Sequence, residues 1–437
     1  MLTQDRKIAT RSVELPRAAP PLSGAFFWLS AFYIVYCARP EDWIPVLGYL
    51  PLAKITGVFA LLGLLSTLGR SQRKFVDLPR ESNYLLAMTV ILFMSAVFSP
   101  VWKGGALNNT LDFAKVWIVW VITFMLVTDF ARLRRVIYIQ TASVAIISLV
   151  SVVLGHNQPR LEGVLGGIYS NPNDLAFAIV LTLPFGLAFL LSTKRSFVKL
   201  LWTGTMLVMG FALFRTASRA GFISLVISGA VCLWYFGVKG RRFFLIVAST
   251  LTVVVLLIVA GGTLTERLAA TGGNVSTQEE ERAYGSYEER RYLNYKALEG
   301  IGHYPVLGLG VRNFETYSGV WKDVHNSYLQ IAVEGGIPSL ILYLLFFASA
   351  FSNLRKLRRV RDLDAPTTLF VGALHSSMIG FVVGALFAPV AYQFFPYFAV
   401  AYTSALLAMI EERGAMSEPP SAESDGRIRY RVLRANS

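Results

Sequence analysis

Cysteine is nearly absent from this chain of 437 residues: Cys37 and Cys232 are too few for a disulfide framework or a zinc site. Charge is scarce as well. Only 16% of the residues are charged, where an ordinary soluble domain carries about a quarter, while 54% are apolar and 13% aromatic. That balance excludes a soluble multi-domain enzyme. Histidine occurs only four times, so its positions are informative. The first 20 residues are polar with no apolar core of their own, and no small-residue cleavage site follows the first apolar stretch, so that stretch is expected to be a retained anchor.

What is abundant is apolar sequence in membrane-length windows. Windows of 17 to 22 residues with few charges run roughly over 22–38, 49–68, 83–100, 110–128, 135–154, 174–192, 198–216, 220–237, 243–261, 335–352, 366–388 and 392–410. The expected fold class is all-α, a polytopic membrane protein with about 12 transmembrane helices and one large periplasmic loop. Its parts are a cytoplasmic N-tail (1–21), transmembrane helices 1–9 (22–261), the large loop (262–334), helices 10–12 (335–411) and a basic cytoplasmic C-tail (412–437).

The formal net charge of +14 invites a nucleic-acid reading, but its distribution argues otherwise. With the amino terminus placed in the cytoplasm, 27 of the 41 basic residues and only 12 of the 27 acidic ones fall on the inner side. This is the positive-inside bias of a membrane protein, and no nucleic-acid partner is needed to explain it. Both termini are then cytoplasmic, and Cys37 and Cys232 lie toward opposite faces.

The loop over 262–324 is far longer than usual connections, and such loops tend to be functional. Its start, Thr271 to Ser276, is rich in Gly, Ser and Thr. Ser286 followed by Glu289 has capping-box spacing, and Tyr287, Arg291, Tyr295 and Leu298 share one helical stripe, so a short amphipathic helix is expected there.

Polar residues gather on the outer face. His156, His303 and His325, with Arg160, Arg215, Arg219, Arg290, Arg291 and Arg312, come from four sequence-distant connections. Basic residues in a tight outer connection oppose the insertion bias, so Arg215 and Arg219 read either as an anion site, using the guanidinium fork, or as interfacial side chains reaching headgroups. Asn171-Pro172-Asn173-Asp174 reads first as a helix start with Asn171 as cap, and also as a polar ligand contact. His325-Asn326-Ser327-Tyr328-Leu329-Gln330 leads through Glu334-Gly335-Gly336-Ile337-Pro338, which predicts a short interfacial helix, a break, then a span. A histidine at that aqueous entrance suits a general base, and equally a structural role. His375, near Gly380 and Gly384, is the clearest midplane ionisable residue. It reads as an interhelical hydrogen bond or as part of a transport path.

His325-Asn326-Ser327-Tyr328-Leu329 with Glu334-Gly335-Gly336 resembles the signature of the O-antigen ligase and polymerase superfamily of polytopic bacterial glycosyltransferases. Ser218-Arg219-Ala220-Gly221, His303-Tyr304-Pro305-Val306-Leu307-Gly308-Leu309-Gly310 and Asn171-Pro172-Asn173 resemble three further motifs of that family, so the resemblance covers roughly 160–350. Where the family often places Arg followed four residues later by Trp, this chain has Arg291 and Tyr295, with Arg290 as an alternative register.

The resemblance implies transfer of a glycan, on the periplasmic side of the bacterial inner membrane, from an undecaprenyl-diphosphate-linked donor to a glycan, lipid or protein acceptor hydroxyl. His325, Arg219 and Arg291 are then the expected catalytic residues. Arg215, Arg290, Asn171, Asn173, Asn326 and Tyr295 are expected to bind substrate. No cofactor and no metal are expected, the partners beyond the substrates are membrane lipids, and transfer is expected to invert the anomeric centre. A polymerase that joins repeat units is the alternative. A lipid-linked glycan flippase is the rival of a different class, though no transporter-type internal repeat is visible.

Overall fold

A computed structural model describes residues 23–70, 73–158, 160–161, 163, 168–169, 171–262, 264–265, 278–360 and 363–417. The glycine-rich start of the long loop, the first 21 residues and the end of the basic C-tail lie outside the described residues. Among the described residues the regular structure is helical, with no strand. The long helices are α1 (Ser23–Ala38), α2 (Leu52–Ser66), α3 (Arg80–Val97), α4 (Lys103–Leu126), α5 (Phe130–Leu154), α6 (Pro172–Ser192), α7 (Ser196–Arg215) and α8 (Arg219–Leu233). They continue as α9 (Phe244–Ala260), α10 (Gln278–His303), α11 (Ser327–Leu357), α12 (Ala365–Gly384) and α13 (Phe394–Ser417).

Each of the twelve apolar windows falls on a helix. Eight helices, α4 to α8 and α11 to α13, are long and apolar enough to cross a membrane. The remaining four are less clear-cut: α1, α2 and α9 are apolar but short, and α3 opens with Arg80 and Glu81. A 15-residue helix such as α2 rises about 22 Å, less than the roughly 30 Å of bilayer hydrocarbon.

The burial pattern is what a lipid solvent produces. Helices α6, α12 and α13 are the most enclosed, while α9 presents Val247, Leu251, Ile258 and Val259 outward, an exposed apolar face that water would penalise. Inside the bundle, polar side chains bond across helices: Ser377 Oγ donates to the Leu181 carbonyl at 2.7 Å, and the Tyr402 hydroxyl donates to Gln140 Oε1 at 2.7 Å. The Tyr235 hydroxyl lies 3.0 Å from His375 Nδ1, which is the interhelical bond anticipated for that histidine. Both cysteines are buried and free.

Arg73 was not visible as special in the sequence, yet it is only 2% exposed. Its guanidinium donates to the carbonyls of Phe124, Val127 and Ala405 at 2.6, 3.0 and 3.3 Å and to Glu412 Oε1 at 3.0 Å, tying the end of α4 to α13. Arg73→Ala strands buried acceptors, each costing about 1–3 kcal/mol. The expected result is a melting temperature in detergent several degrees below wild type, which a thermal unfolding scan reads directly.

Helix α11 is broken as its Gly-Gly-x-Pro stretch predicts. Gly336 sits at φ 77° and ψ 172°, dividing a short N-terminal helix from the span. The break frees backbone groups, and the Pro305–Gly310 stretch takes them up. Leu309 and Gly310 donate N–H groups to the carbonyls of Val333 and Glu334, both at 2.9 Å, and Ile337 N–H donates to the Pro305 carbonyl at 2.8 Å. Two sequence motifs some thirty residues apart are thus one structural unit. A side chain at Gly336 would bring its Cβ to 2.1 Å from the Val306 carbonyl oxygen, in a backbone region open essentially to glycine alone. Gly336→Ala is expected to lower both the melting temperature and the yield of folded protein, the backbone strain alone costing about 1–3 kcal/mol.

The helix in the long loop differs from expectation. It is not short and does not start at Ser286: α10 runs over 26 residues from Gln278, with Ser286 in its interior. The acidic Gln-Glu-Glu-Glu opening favours the positive end of the helix dipole and extends the helix upstream.

Candidate active site

Three helices that bear the singled-out motifs start at one end of the bundle, each with a side-chain cap. Asn171 Oδ1 accepts from Asn173 N–H at 2.9 Å on α6, Ser218 Oγ from Gly221 N–H at 3.1 Å on α8, and Asn326 Oδ1 from the N–H groups of Tyr328 and Leu329 at 2.9 and 3.1 Å on α11. The capping reading therefore holds for Asn171, and Asn326, expected only as a substrate contact, caps α11 as well. Three positive dipole ends face the same side, which favours an anion there.

The head of α6 links the groups. Asn173 is buried, and its Oδ1 accepts from Ser218 Oγ at 2.7 Å and from Arg160 Nη2 at 3.5 Å. Next to it, Asp174 Oδ1 accepts from Gln393 Nε2 at 2.9 Å and feels the charges of Asp323 and Arg312. One edge of α6 thus touches the residue beside Arg219, and the next residue lies within electrostatic reach of the segment that carries His325.

Arg215 and Arg219 occupy different situations. Arg215 Nη2 donates to the carbonyls of His156 and Gln158 at 3.2 and 2.8 Å, holding the loop before α6. Arg219, half-buried, is the first residue of α8. A cation at a helix N-terminus opposes the macrodipole, so the position is costly unless an anion shares it.

His325 is half-buried, and its Nδ1 lies 3.0 Å from the Asp323 carbonyl oxygen. A carbonyl only accepts, so Nδ1 carries the proton and Nε2 keeps its lone pair. Burial, and then the positive charge of Arg290, push the imidazole pKa down to about 4. The ring is therefore neutral at physiological pH and able to take a proton. Burial, and then Glu315, push Asp323 up to about 6, against the pull of Arg312.

Helix α10 holds the two adjacent arginines in different surroundings. Leu293 and Ala297 are buried against Leu309, Phe314, Val324 and Val333, and Arg290 is on that inward stripe, half-buried beside His325. Arg291 is rotated about 100° away. Its side chain is 75% exposed, with Glu288 at 3.9 Å, and Tyr295 is likewise 66% exposed. The stripe of Tyr287, Arg291, Tyr295 and Leu298 is therefore the outer face of α10 and not its packed face. Lys322 pairs with Glu289 at 2.6 Å, fastening the segment before His325 to α10.

Sequence reasoning passed over Tyr392 and Gln393 as site residues. The Tyr392 hydroxyl donates to Glu334 Oε2 at 2.7 Å, and with Gln393 it brings the start of α13 to the site. No motif spacing marks them, because their proximity exists only in three dimensions. Elsewhere, the adjacent carboxylates Glu41 and Asp42 are both engaged by Arg39, at 2.8 and 3.0 Å.

Residues 204–344, from within α7 to within α11, match the family model described as O-antigen ligase. This stretch, about a third of the chain, is similar to that family. It contains Arg215, Arg219, Arg290, Arg291, Asn326 and His325, and leaves Asn171 and Asn173 outside. No curated protein matches the chain. The match supports the resemblance to the O-antigen ligase and polymerase superfamily over this part of the chain, and the eight long apolar helices suit a multi-pass membrane protein. The two outermost motifs of the matched stretch, Ser218-Arg219 and His325-Asn326, open α8 and α11 at the same end of the bundle.

Proposed function

We propose that this protein transfers a glycan from an undecaprenyl-diphosphate-linked donor to an acceptor hydroxyl at the periplasmic face of the inner membrane, as an O-antigen-ligase-type enzyme. The observation that carries this reading is the imidazole of His325, with Nε2 left as proton acceptor and Arg290 beside it, at the end of the bundle where α6, α8 and α11 present their N-termini. A lipid diphosphate is the donor chemistry such a site suits, since it brings a membrane anchor and an anionic leaving group together. The acceptor oxygen attacks the anomeric carbon, its proton passes to His325 Nε2, and the bond from that carbon to the diphosphate oxygen breaks. Arg219 and Arg290 hold the departing diphosphate and stabilise its developing charge. Attack from the face opposite the leaving group inverts the anomeric centre.

Within this reading Arg290, on the inward stripe, is the active-site arginine of α10, and Arg291 and Tyr295 contact an acceptor from outside. Arg215 and Asn326 Oδ1 shape the site through their bonds to backbone, and Asn171 and Asn173 order the head of α6. Twelve spans, cytoplasmic termini and a periplasmic segment over 262–334 complete the topology. Transport is the weaker reading, because His375, its best midplane candidate, is engaged by Tyr235.

Purified protein incubated with a lipid-linked oligosaccharide and candidate acceptors separates the outcomes. A single capped product supports ligation; a ladder on the lipid diphosphate means polymerisation; no glycosidic product from either acceptor type rejects the proposal. With arginine as the counter-charge, activity is expected to survive EDTA, and loss restored by magnesium or manganese would contradict that.

A further inference from the structure

At the end of α11 opposite His325 lies a cavity of about 620 Å³, a size typical of small-ligand sites. Three cations line it from two distant parts of the chain: Lys239, at the end of a π turn (Trp234–Lys239) that follows α8, and Arg242 belong to the connection before α9, and Arg358 caps the C-terminus of α11. Such π turns interrupt helices mostly at functional places. Lys239 Nζ and the Arg358 guanidinium both lie 5.6 Å from the centroid of the Tyr235 ring, so two positive charges share one aromatic ring. Among the described residues none of the three cations has a carboxylate partner, whereas nearby Lys356 pairs with Glu411 at 3.6 Å. The rest of the wall is apolar, including Phe236, Leu369 and Val371.

Helix-dipole compensation or topology bias would require only that each of these side chains face water. Neither accounts for three charges from two distant parts of the chain converging on one hollow with an apolar wall. We propose that this cavity binds the phosphate of an anionic glycerophospholipid, with Lys239, Arg242 and Arg358 on the head group and the apolar wall along the first part of an acyl chain. Soluble phosphate shares the head-group chemistry but has no use for the apolar wall, which is why the lipid is the assigned source. The site is distinct from the donor site: the 31 residues of α11 between them would span about 46 Å if unbroken.

The test uses the full chain in nanodiscs of phosphatidylcholine with increasing phosphatidylglycerol, and native mass spectrometry to count retained lipid. Wild type is expected to retain phosphatidylglycerol selectively. The double variant Lys239→Gln/Arg358→Gln is expected to bind it about 30-fold more weakly, each charge contributing about fivefold. Thr368→Trp, which fills the cavity while keeping all three charges, should lose retention as well. Equal retention by wild type and both variants overturns the proposal, since it means only general attraction of anionic lipid. Displacement of the bound lipid by inorganic phosphate at matched concentration overturns the lipid assignment in favour of a soluble anion. His325→Ala should retain the lipid like wild type, so this result stands or falls separately from the transfer reaction.

Discussion

Replacing His325 with alanine is expected to lower glycan transfer by roughly 10²- to 10⁴-fold, the usual contribution of a positioned general base. The fold should be spared, because among the described residues the imidazole bonds only to the nearby Asp323 carbonyl, while Asn326 caps α11 and Lys322 fastens the segment to α10. Melting temperature therefore serves as the control. The pH profile adds a readout that a structural role would not move. In the free enzyme His325 is neutral above about 4, so kcat/KM should stay level from pH 8 down to pH 5 and fall only as pH drops through about 4. If Asp323 were the base instead, the acid limb would appear near 6, and Asp323→Asn would abolish activity while His325→Ala would not. For kcat the limb should lie at higher pH, because a bound diphosphate stabilises the imidazolium.

The second large effect is a contrast between neighbours. Arg290→Ala should cost transfer about 10²–10³-fold, the range for deleting one donor to a developing oxyanion. Arg291→Ala should lie within a few-fold of wild type, because its side chain is 75% exposed and the variant loses only a solvent-screened contact to the acceptor and a weak surface pair with Glu288. Arg219→Lys keeps the charge but loses the guanidinium fork, and should behave like Arg290→Ala. The reverse ranking of the two α10 variants would mean that the catalytic arginine is on the outward stripe. His375→Ala should leave transfer nearly intact; if it instead abolished the protein's function while His325→Ala did not, the transport reading would return.

Much of this was legible in one dimension. Twelve apolar windows each found a helix, since membrane-length apolar runs have few alternatives to helical structure. Asn171 is recognisable as a cap and Gly335-Gly336-Ile337-Pro338 as a break, whereas the cap role of Asn326 emerges only from the structure. The length of α10 was misjudged because a capping-box spacing at Ser286 was given more weight than the acidic run that precedes it.

What the sequence by itself determined is the helical class with membrane-length apolar spans, and the motifs, His325 among them, from which the proposed site is built. Those follow from local rules: hydropathy, charge bias, caps and short motifs act within a few residues of one another. Tertiary structure alone decided which side of α10 faces His325, because one residue of offset turns a side chain by about 100° and only the packing of Leu293 and Ala297 against Val324 and Val333 sets that rotation. It also decided that Arg215 and Arg73 bind backbone, and that Tyr392 and Gln393 meet Glu334 and Asp174, for contacts between helices distant in the chain leave no spacing to read.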